Sequence, residues 1–183
     1  MTELLPRPFV FLRHGETFYN RAYLIAGSPD VPLTSFGESQ ARGVSAMMGK
    51  QVWSHVAVST MFRARKTARL ALPDSELHVY AGLRERHWGV LEKTPIQDPM
   101  PYFDTPKGGE AWADFQDRVV DSLNTLLARF ECPLVVAHSG VFRVICNVTR
   151  GHPYGARIGN VAPVLCQPPS SGQEVWQLVP WQG

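Results

Sequence analysis

The chain has 183 residues, of which 44% are hydrophobic and 19% are charged, and this balance predicts a single compact domain over residues 1–183. Its 18 basic and 16 acidic side chains leave a formal net charge of +2, so no general attraction to nucleic acid or membrane surfaces is expected. No apolar run approaches the roughly 18 residues that are needed to span a bilayer.

Short runs rich in β-branched and aromatic residues alternate with helical patterns, which is typical of βαβ units around a mostly parallel sheet. The expected fold class is α/β: a three-layer sandwich with helices on both faces of a mostly parallel central sheet. The predicted helices are residues 34–50, 61–72, 111–130 and 141–151. The predicted strands are residues 8–12, 55–59, 76–80 and 133–137, followed by an antiparallel edge pair at 160–168 and 174–181.

Local signals mark the ends of some of these elements. Thr34 or Ser35 is expected to open the first helix, with Glu38 placed for a capping box. Four prolines between residues 93 and 109 forbid a long helix there. A loop of that length in a compact domain is often functional, so we expect residues 93–109 to form a lid or a pocket wall.

Polar side chains follow each of the first four predicted strands. In a parallel sheet the carboxyl ends of the strands lie along one edge, and ligands bind in the crevice outside it. Each side chain alone has a structural explanation, such as a solvated arginine or a histidine that caps a helix. Their joint appearance at the same topological position favours a functional site. The side chains are Arg13 and His14, Ser59 and Arg63, Arg84 to His87, and His138 and Ser139.

This group of side chains suits the chemistry of a phosphate ester. Guanidinium groups match phosphate oxygens bidentately and stay charged at any relevant pH. A neutral histidine beside them can attack phosphorus when its other ring nitrogen is held by an acceptor such as a backbone carbonyl. Gly15 lets the chain turn sharply after His14 without placing a side chain in the path of attack.

The segment LRHGETFYN (12–20) resembles the signature of the histidine phosphatase superfamily, the group that includes cofactor-dependent phosphoglycerate mutase. Because five further segments match in family order, the resemblance covers about residues 9 to 160. It implies the phosphoglycerate mutase-like form of the α/β sandwich. The further segments are GSPDVPLTSFGESQA (27–41), VSTMFRARKTA (58–68), LRERHWGVLE (83–92), KGGEAW (107–112) and VVAHSGVFRVI (135–145).

The resemblance also implies catalytic roles for five residues at matching positions. His14 is the expected nucleophile, which forms a phosphohistidine. Arg13, Arg63 and His138 would hold the phosphoryl oxygens and stabilise their charge during transfer. Glu85 would protonate the leaving alcohol and then take a proton from the attacking water.

Three more residues are candidates for contacts with phosphate or substrate. Asn20 and Ser139 are expected to bind, whereas Asn160 is explained equally well by the pocket and by core hydrogen bonding. No metal ion or other cofactor is expected, because the arginines supply the positive charge and the sequence lacks H-E-x-x-H and clustered aspartates.

Other functional classes fit the sequence less well. Ser139 beside a histidine suggests a serine hydrolase, but G-x-S-x-G needs glycine at two positions where alanine and valine stand. Residues 43–51 resemble a P-loop whose gap is one residue too long. The basic run over residues 63–69 is better explained as a solvated helix face than as a nucleic-acid patch.

The sequence favours hydrolysis over mutase-type transfer. ERHWG (85–89) is close to the ERHYG of mutases, yet only 24 positions separate Glu85 from Gly109. Mutases of this family carry a longer insertion here, with basic residues that hold the carboxylate of phosphoglycerate. Because a shortened cap should admit water, we expect a phosphatase, with a mutase as the alternative. A non-catalytic phospholigand-binding module is a third possibility, against which the complete set of His14, Glu85 and His138 argues.

The expected substrate is a small organic phosphomonoester, and the sequence leaves its identity and the oligomeric state open. The three cysteines lack C-x-x-C spacing and are expected to be reduced, buried thiols, which predicts a cytoplasmic protein. Seven aromatic residues are candidates for the pocket wall or for the core: Phe18, Tyr19, Tyr23, Trp88, Tyr102, Phe103 and Phe142.

Overall fold

The computed structural model describes residues 3–170 and 175–183 of the chain. Within these ranges the strands are β1 (Phe9–Arg13), β2 (Val56–Ser59), β3 (His78–Tyr80), β4 (Leu134–Ala137), β5 (Val164–Gln167) and β6 (Gln177–Pro180). They form one sheet in the order β3-β2-β4-β1-β5-β6. β1 to β4 are parallel, whereas β5 is antiparallel to β1 and β6 is antiparallel to β5.

Helices cover both faces of this sheet. They are α1 (Phe18–Arg21), α2 (Ser35–Gly43), α3 (Ser45–Met48), α4 (Phe62–Ala71), α5 (Trp112–Arg129) and α6 (Ser139–Arg150). Two short 3₁₀ turns, Ala81–Leu83 and Gly89–Leu91, lie between β3 and α5. None of the helices in the described ranges has the length and apolar character needed to cross a membrane.

The alternating side chains of β1 divide the core into two halves. Phe9 and Phe11 are fully buried on the face covered by α5 and α6, while Val10 and Leu12 are fully buried on the face covered by α3 and α4. The predicted three-layer α/β sandwich is therefore confirmed. Because β1 is packed on both faces, the residue that follows it leaves the sheet at a fixed position.

The structure differs from the predicted elements mainly at their ends. The predicted helix over residues 34–50 is two helices, because Val44 ends α2. The hydroxyl of Thr34 caps α2 by accepting a hydrogen bond from the amide of Gly37, so Glu38 stands one position too far along for a capping box and pairs with Arg42 instead.

The two edge strands are shorter than expected. β3 begins at His78 rather than at residue 76, and it pairs with β2 alone. β6 begins at Gln177, and Glu174, where the last predicted strand started, lies outside the described residues. The antiparallel pairing at the edge is confirmed, but β5 covers only Val164–Gln167 of the predicted 160–168. Residues 93–109 contain no helix or strand element, as their prolines indicate.

The three cysteines are free thiols, as expected, but they are not equally buried. Cys146 and Cys166 lie in the core, whereas Cys132 is only partly buried. The expectation of three buried thiols is therefore wrong at Cys132, which stands in the turn between α5 and β4.

Candidate active site

A cleft lies at the edge where β1, β2 and β4 end. The structure brings six of the seven predicted site residues to its wall, and only His138 is absent from it. The six come from four separate segments of the chain, as expected for the carboxyl edge of a parallel sheet. They are Arg13, His14, Asn20, Arg63, Glu85 and Ser139.

His14 leaves β1 with its ring held in one orientation. Its side chain is 4% exposed, and Nδ1 lies 2.7 Å from the carbonyl oxygen of Gly15, so that Nδ1–H donates and Nε2 carries the free lone pair. Burial, together with the positive charges of Arg63 and Arg13, lowers the pKa of His14 well below the usual histidine value. The ring is therefore neutral at pH 7, and Nε2 can act as a nucleophile.

Glycine is required where the chain turns after His14. The backbone of Gly15 lies against that of Gly37 near the start of α2, and a Cβ on either residue would overlap the other segment. The amide of Gly15 donates to the hydroxyl of Thr67 on α4 at 2.9 Å. The turn after β1 is thus tied to two helices, which holds the ring of His14 in place.

Two arginines flank His14. Arg13 donates from Nη1 to the carbonyl oxygen of Ile158 at 2.7 Å, and burial lowers its pKa to about 10 against the opposing effect of Glu85. Arg63 is 1% exposed, donates to the carbonyl oxygens of Gly27 and Pro29, and lies 3.4 Å from a carboxylate oxygen of Asp30.

Each of the two guanidinium groups has one N–H donor that no described residue accepts. The Nε atoms of Arg13 and Arg63 are buried and have no hydrogen-bond partner among the described residues. A buried N–H without an acceptor is costly, and both of these arginines belong to the wall of the cleft. The two side chains therefore form a positively charged frame in need of acceptors.

His138 is packed beside His14 and has no surface exposed to the cleft. It is fully buried, and the centroids of the two rings are 5.2 Å apart. Its Nε2 lies 2.8 Å from the hydroxyl oxygen of Ser59, while its Nδ1 has no partner among the described residues. Burial, with the charge of Arg63 next, lowers the pKa of His138 well below the usual value, so this ring is neutral too.

Glu85 reaches the cleft from the segment that follows β3. One carboxylate oxygen accepts the backbone N–H of Arg86 at 2.8 Å, and the other accepts that of Gly140 at 3.0 Å. A Cβ at position 140 would overlap this carboxylate, so α6 approaches Glu85 closely only because glycine stands there. The carboxylate is thereby fixed at the mouth of the cleft.

Two arginines to which the sequence analysis gave no catalytic or binding role hold the segment of Glu85 in place. Arg118 of α5 forms a bidentate pair with Glu110 and donates to the carbonyl oxygens of Gly82, Arg84 and Glu85 at 2.9–3.2 Å. The sequence gives little indication of this role for Arg118, because a polar residue on an amphipathic helix is usually solvated.

Arg86 is the second of these arginines, and it is fully buried. It donates to the carbonyl oxygens of Tyr102, Asp104 and Glu110, and its guanidinium lies 4.4 Å from the ring centroid of Trp88. Arg86 therefore fastens the loop over residues 93–109 to the protein, and it does not line the cleft.

Asn20 and Asn160 are linked across the cleft floor. The Oδ1 atom of Asn20 accepts from the backbone of Thr17 at 3.1 Å and from Asn160 Nδ2 at 3.2 Å, which leaves the NH₂ group of Asn20 available to a phosphate oxygen. Asn160 also donates to the carbonyl oxygen of His14 at 2.8 Å. Asn160 is partly buried and lines a small pocket beside Arg13, so it combines a pocket position with hydrogen bonds to residues of the site. The next residue, Val161, has φ of +53°, a strained value for a β-branched side chain.

Of the seven aromatic candidates, two line the cleft and one lies in the core, whereas Phe18, Tyr23 and Phe103 are exposed and Tyr19 is partly buried. Trp88 and Tyr102 line the cleft, together with Ile96 and Met100 of the predicted wall loop. Phe142 packs on Phe11 in the core instead.

The arrangement can receive a phosphate group and transfer it. A neutral imidazole with one free nitrogen faces a cleft that also contains two guanidinium groups, an amide NH₂ and a fixed carboxylate. These are the groups needed for nucleophilic attack on phosphorus, for neutralisation of the phosphoryl oxygens and for proton transfer to a leaving oxygen.

Comparison with known proteins gives the same assignment. A family model described as "Histidine phosphatase superfamily (branch 1)" matches residues 9–161. A "Probable phosphoglycerate mutase GpmB" of Serratia proteamaculans is 33% identical over 159 residues, which are 78% of this chain and 74% of that protein. An adenosylcobalamin/alpha-ribazole phosphatase of Salmonella typhimurium is 30% identical over 152 residues, which are 73% of this chain and 75% of that protein.

A solved structure agrees with these sequence matches. The crystal structure of a phosphoglycerate mutase from Thermus thermophilus superposes with a TM-score of 0.74 at 29% identity, covering 95% of this chain and 99% of that one. With the family match spanning most of the sequence and the cleft built from the matching residues, the chain belongs to the histidine phosphatase superfamily, branch 1.

Proposed function

We propose that the protein is a phosphomonoesterase that works through a phosphohistidine at His14. The observation that carries the proposal is the bond from Nδ1 of His14 to the carbonyl oxygen of Gly15, which leaves Nε2 free, buried and beside two guanidinium groups. Nε2 bonds to phosphorus while the bond from phosphorus to the alcohol oxygen breaks, and Glu85 gives that oxygen a proton. Water then attacks phosphorus, gives a proton to Glu85 and releases inorganic phosphate and neutral His14.

Arg13 and Arg63 beside His14 supply the positive charge for phosphoryl transfer, so the proposed mechanism needs no further cation. Charge on the phosphoryl oxygens is spread over three atoms during transfer, and fixed donors stabilise it most when they need no reorganisation. Arg13 and Arg63 meet this condition, because each is held by a backbone carbonyl and each has an Nε–H that no described residue accepts. We assign His138 a supporting role beside His14, with the orientation of its ring fixed by the contact of Nε2 with the hydroxyl of Ser59.

One feature favours hydrolysis over transfer back to the product. Mutases of this family retain their intermediate under a longer cap, whereas the wall loop over residues 93–109 is short and is fastened down by Arg86, which donates to the carbonyl oxygens of Tyr102 and Asp104. Water can therefore reach the phosphohistidine, and the alcohol can leave. One relative is named as a phosphatase, which is consistent with this assignment.

The first experiment asks whether His14 carries the phosphoryl group. We expect the wild-type protein to hydrolyse p-nitrophenyl phosphate. After incubation with a ³²P-labelled phosphomonoester and rapid quenching, the protein should carry an acid-labile, base-stable radiolabel. His14→Ala should lose both, whereas His152→Ala, which removes an exposed histidine, should keep both. The proposal fails if the wild type shows neither turnover nor label, or if His14→Ala retains them.

Mutase activity is the second candidate, because other relatives are named as mutases. The test supplies 3-phosphoglycerate with its bisphosphate primer and follows 2-phosphoglycerate and inorganic phosphate together. We expect inorganic phosphate to predominate. Accumulation of 2-phosphoglycerate at a higher rate than phosphate would assign the protein to the mutases instead.

A further inference from the structure

A second cavity adjoins the catalytic cleft. The two share four wall residues, Ile96, Met100, Tyr102 and Arg157, so a leaving group bound beside Glu85 lies close to the outer cavity. Beyond these residues the outer cavity is lined by the loop at residues 97–99, by Arg143 and by residues 154–156. Nothing in the phosphoryl transfer described above uses this space.

The outer cavity is lined by a buried cation, Arg143, which forms no ion pair with the part of the chain that the structure describes. Arg143 of α6 is 5% exposed, its Nη2 donates to the carbonyl oxygen of Gly155 at 3.0 Å, and its guanidinium carbon lies 5.9 Å from the ring centroid of Tyr102. No carboxylate of the described residues lies within 4 Å of it. A buried charge is expected to have a partner, and this one lines a cavity that a ligand can fill.

Arg157 adds a second positive charge at the junction of the two cavities. It is exposed, and among the described residues it has neither a hydrogen-bond acceptor nor an ion-pair partner. Asp98 supplies the opposite charge on the wall of the outer cavity, from an exposed position. Two arginines against one solvated carboxylate leave the cavity positive, and the mutual repulsion of Arg13, Arg143 and Arg157 would be relieved by an anion.

We propose that Arg143 and Arg157 form an outer subsite for a second anionic group carried by the leaving alcohol. The inference rests on the proposed phosphatase function and narrows its substrate class. The substrate is an organic phosphate with a second phosphate or a carboxylate at its far end. Because Arg143 lies outside the catalytic cleft, the alcohol must extend past Met100 and Tyr102 for its second anion to reach Arg143.

The test compares pairs of substrates that have the same chain length and differ in whether the far end carries an anionic group. ω-Carboxyalkyl phosphates with one to six methylene groups are each compared with the uncharged alkyl phosphate of the same length. α,ω-Alkanediol bisphosphates show whether phosphate or carboxylate is the preferred second anion. We expect kcat/KM to favour the charged member by roughly 10- to 100-fold, as for a charge-assisted arginine contact, and only once the chain is long enough to pass Met100 and Tyr102.

Variants of Arg157 assign the preference to this subsite, since an exposed side chain can be replaced without loss of the fold. Arg157→Gln should reduce the ratio of the two kcat/KM values toward one, and Arg157→Glu should invert it. Arg150→Gln, which removes a charge from the exposed end of the same helix as Arg143, should keep the wild-type ratio. A ratio that survives in Arg157→Gln, or that falls equally in Arg150→Gln, would overturn the subsite.

The outcomes separate this subsite from the phosphatase function itself. If the wild type hydrolyses p-nitrophenyl phosphate but shows a ratio near one at every chain length, the outer subsite is wrong and the phosphatase stands. If p-nitrophenyl phosphate is not hydrolysed, the phosphatase function fails and the subsite fails with it.

Discussion

His14, His138 and Glu85 each combine a fixed contact with a free lone pair or site for a proton. His14 commits Nδ1 to the Gly15 carbonyl, and His138 commits Nε2 to the hydroxyl of Ser59. Each oxygen of Glu85 accepts one backbone N–H and keeps a second lone pair. Since these contacts fix orientation before a substrate arrives, little reorganisation is left for the reaction itself.

Glu85→Gln should separate proton transfer from phosphate binding. An alkoxide is a poor leaving group without a proton, whereas p-nitrophenolate needs little help. We therefore expect kcat for an alkyl phosphate to fall by about 10²- to 10⁴-fold, with a much smaller loss for p-nitrophenyl phosphate. The measurement is the ratio of the two kcat values. Glu131→Gln, an exposed carboxylate far along the chain, is the control, and equal slowing of both substrates would remove Glu85 from the role of proton donor.

At the scale of elements, the local sequence pattern predicted most helices and strands. Contacts between distant segments determined the features that it missed. β1 and α5 follow from apolar periodicity, and the polar residues at strand ends follow from the rule for parallel sheets. The break at Val44 and the fastening of the wall loop by Arg86 depend on packing between distant segments, which a single sequence does not display. His138, the N-cap residue of α6, lies with its ring centroid 5.2 Å from that of His14, and its expected contact with the phosphoryl oxygens stays a prediction.

Gly140→Ala tests how closely α6 must approach the acid. The new Cβ would overlap Glu85 Oε1, so the carboxylate must move from its bond with the amide of residue 140. A displacement of this size can cost roughly 100-fold in rate. We expect alkyl phosphate hydrolysis to fall by that order while p-nitrophenyl phosphate loses far less, as in Glu85→Gln.

A matched glycine separates this effect from a general loss of stability. Gly43 ends α2 with open space around it, and Gly43→Ala should raise the free energy of unfolding by about 0.5–1 kcal/mol without changing the ratio of the two activities. If Gly140→Ala also keeps the wild-type ratio, the carboxylate tolerates the methyl group and its position is less constrained than we infer.

At the scale of the whole molecule, burial of the polar active-site groups lowers the stability of the fold, and other parts of the protein must offset this loss. Buried guanidinium groups and two neutral, buried imidazoles oppose folding, because each loses hydration that it had in the unfolded chain. The apolar cores on the two faces of β1 offset that loss. This balance makes the stability of the protein sensitive to pH at the site itself.

Acidification below pH 6.5 should destabilise the fold through these histidines. The pKa values of His14 and His138 are lowered on folding, so the unfolded chain takes up protons that the folded protein excludes. Each ring then contributes a loss of about 1.4 kcal/mol per pH unit, beginning near the unfolded pKa and continuing until the pH reaches the folded one. The measurement is the free energy of unfolding from urea titrations at pH 7.5, 6.0 and 5.0, for the wild type and for His14→Asn. Because the variant lacks one of the two rings, its stability should fall less steeply between pH 6.0 and 5.0, by that same amount per unit, and identical slopes would show that His14 is protonated as readily in the folded protein as in the unfolded chain.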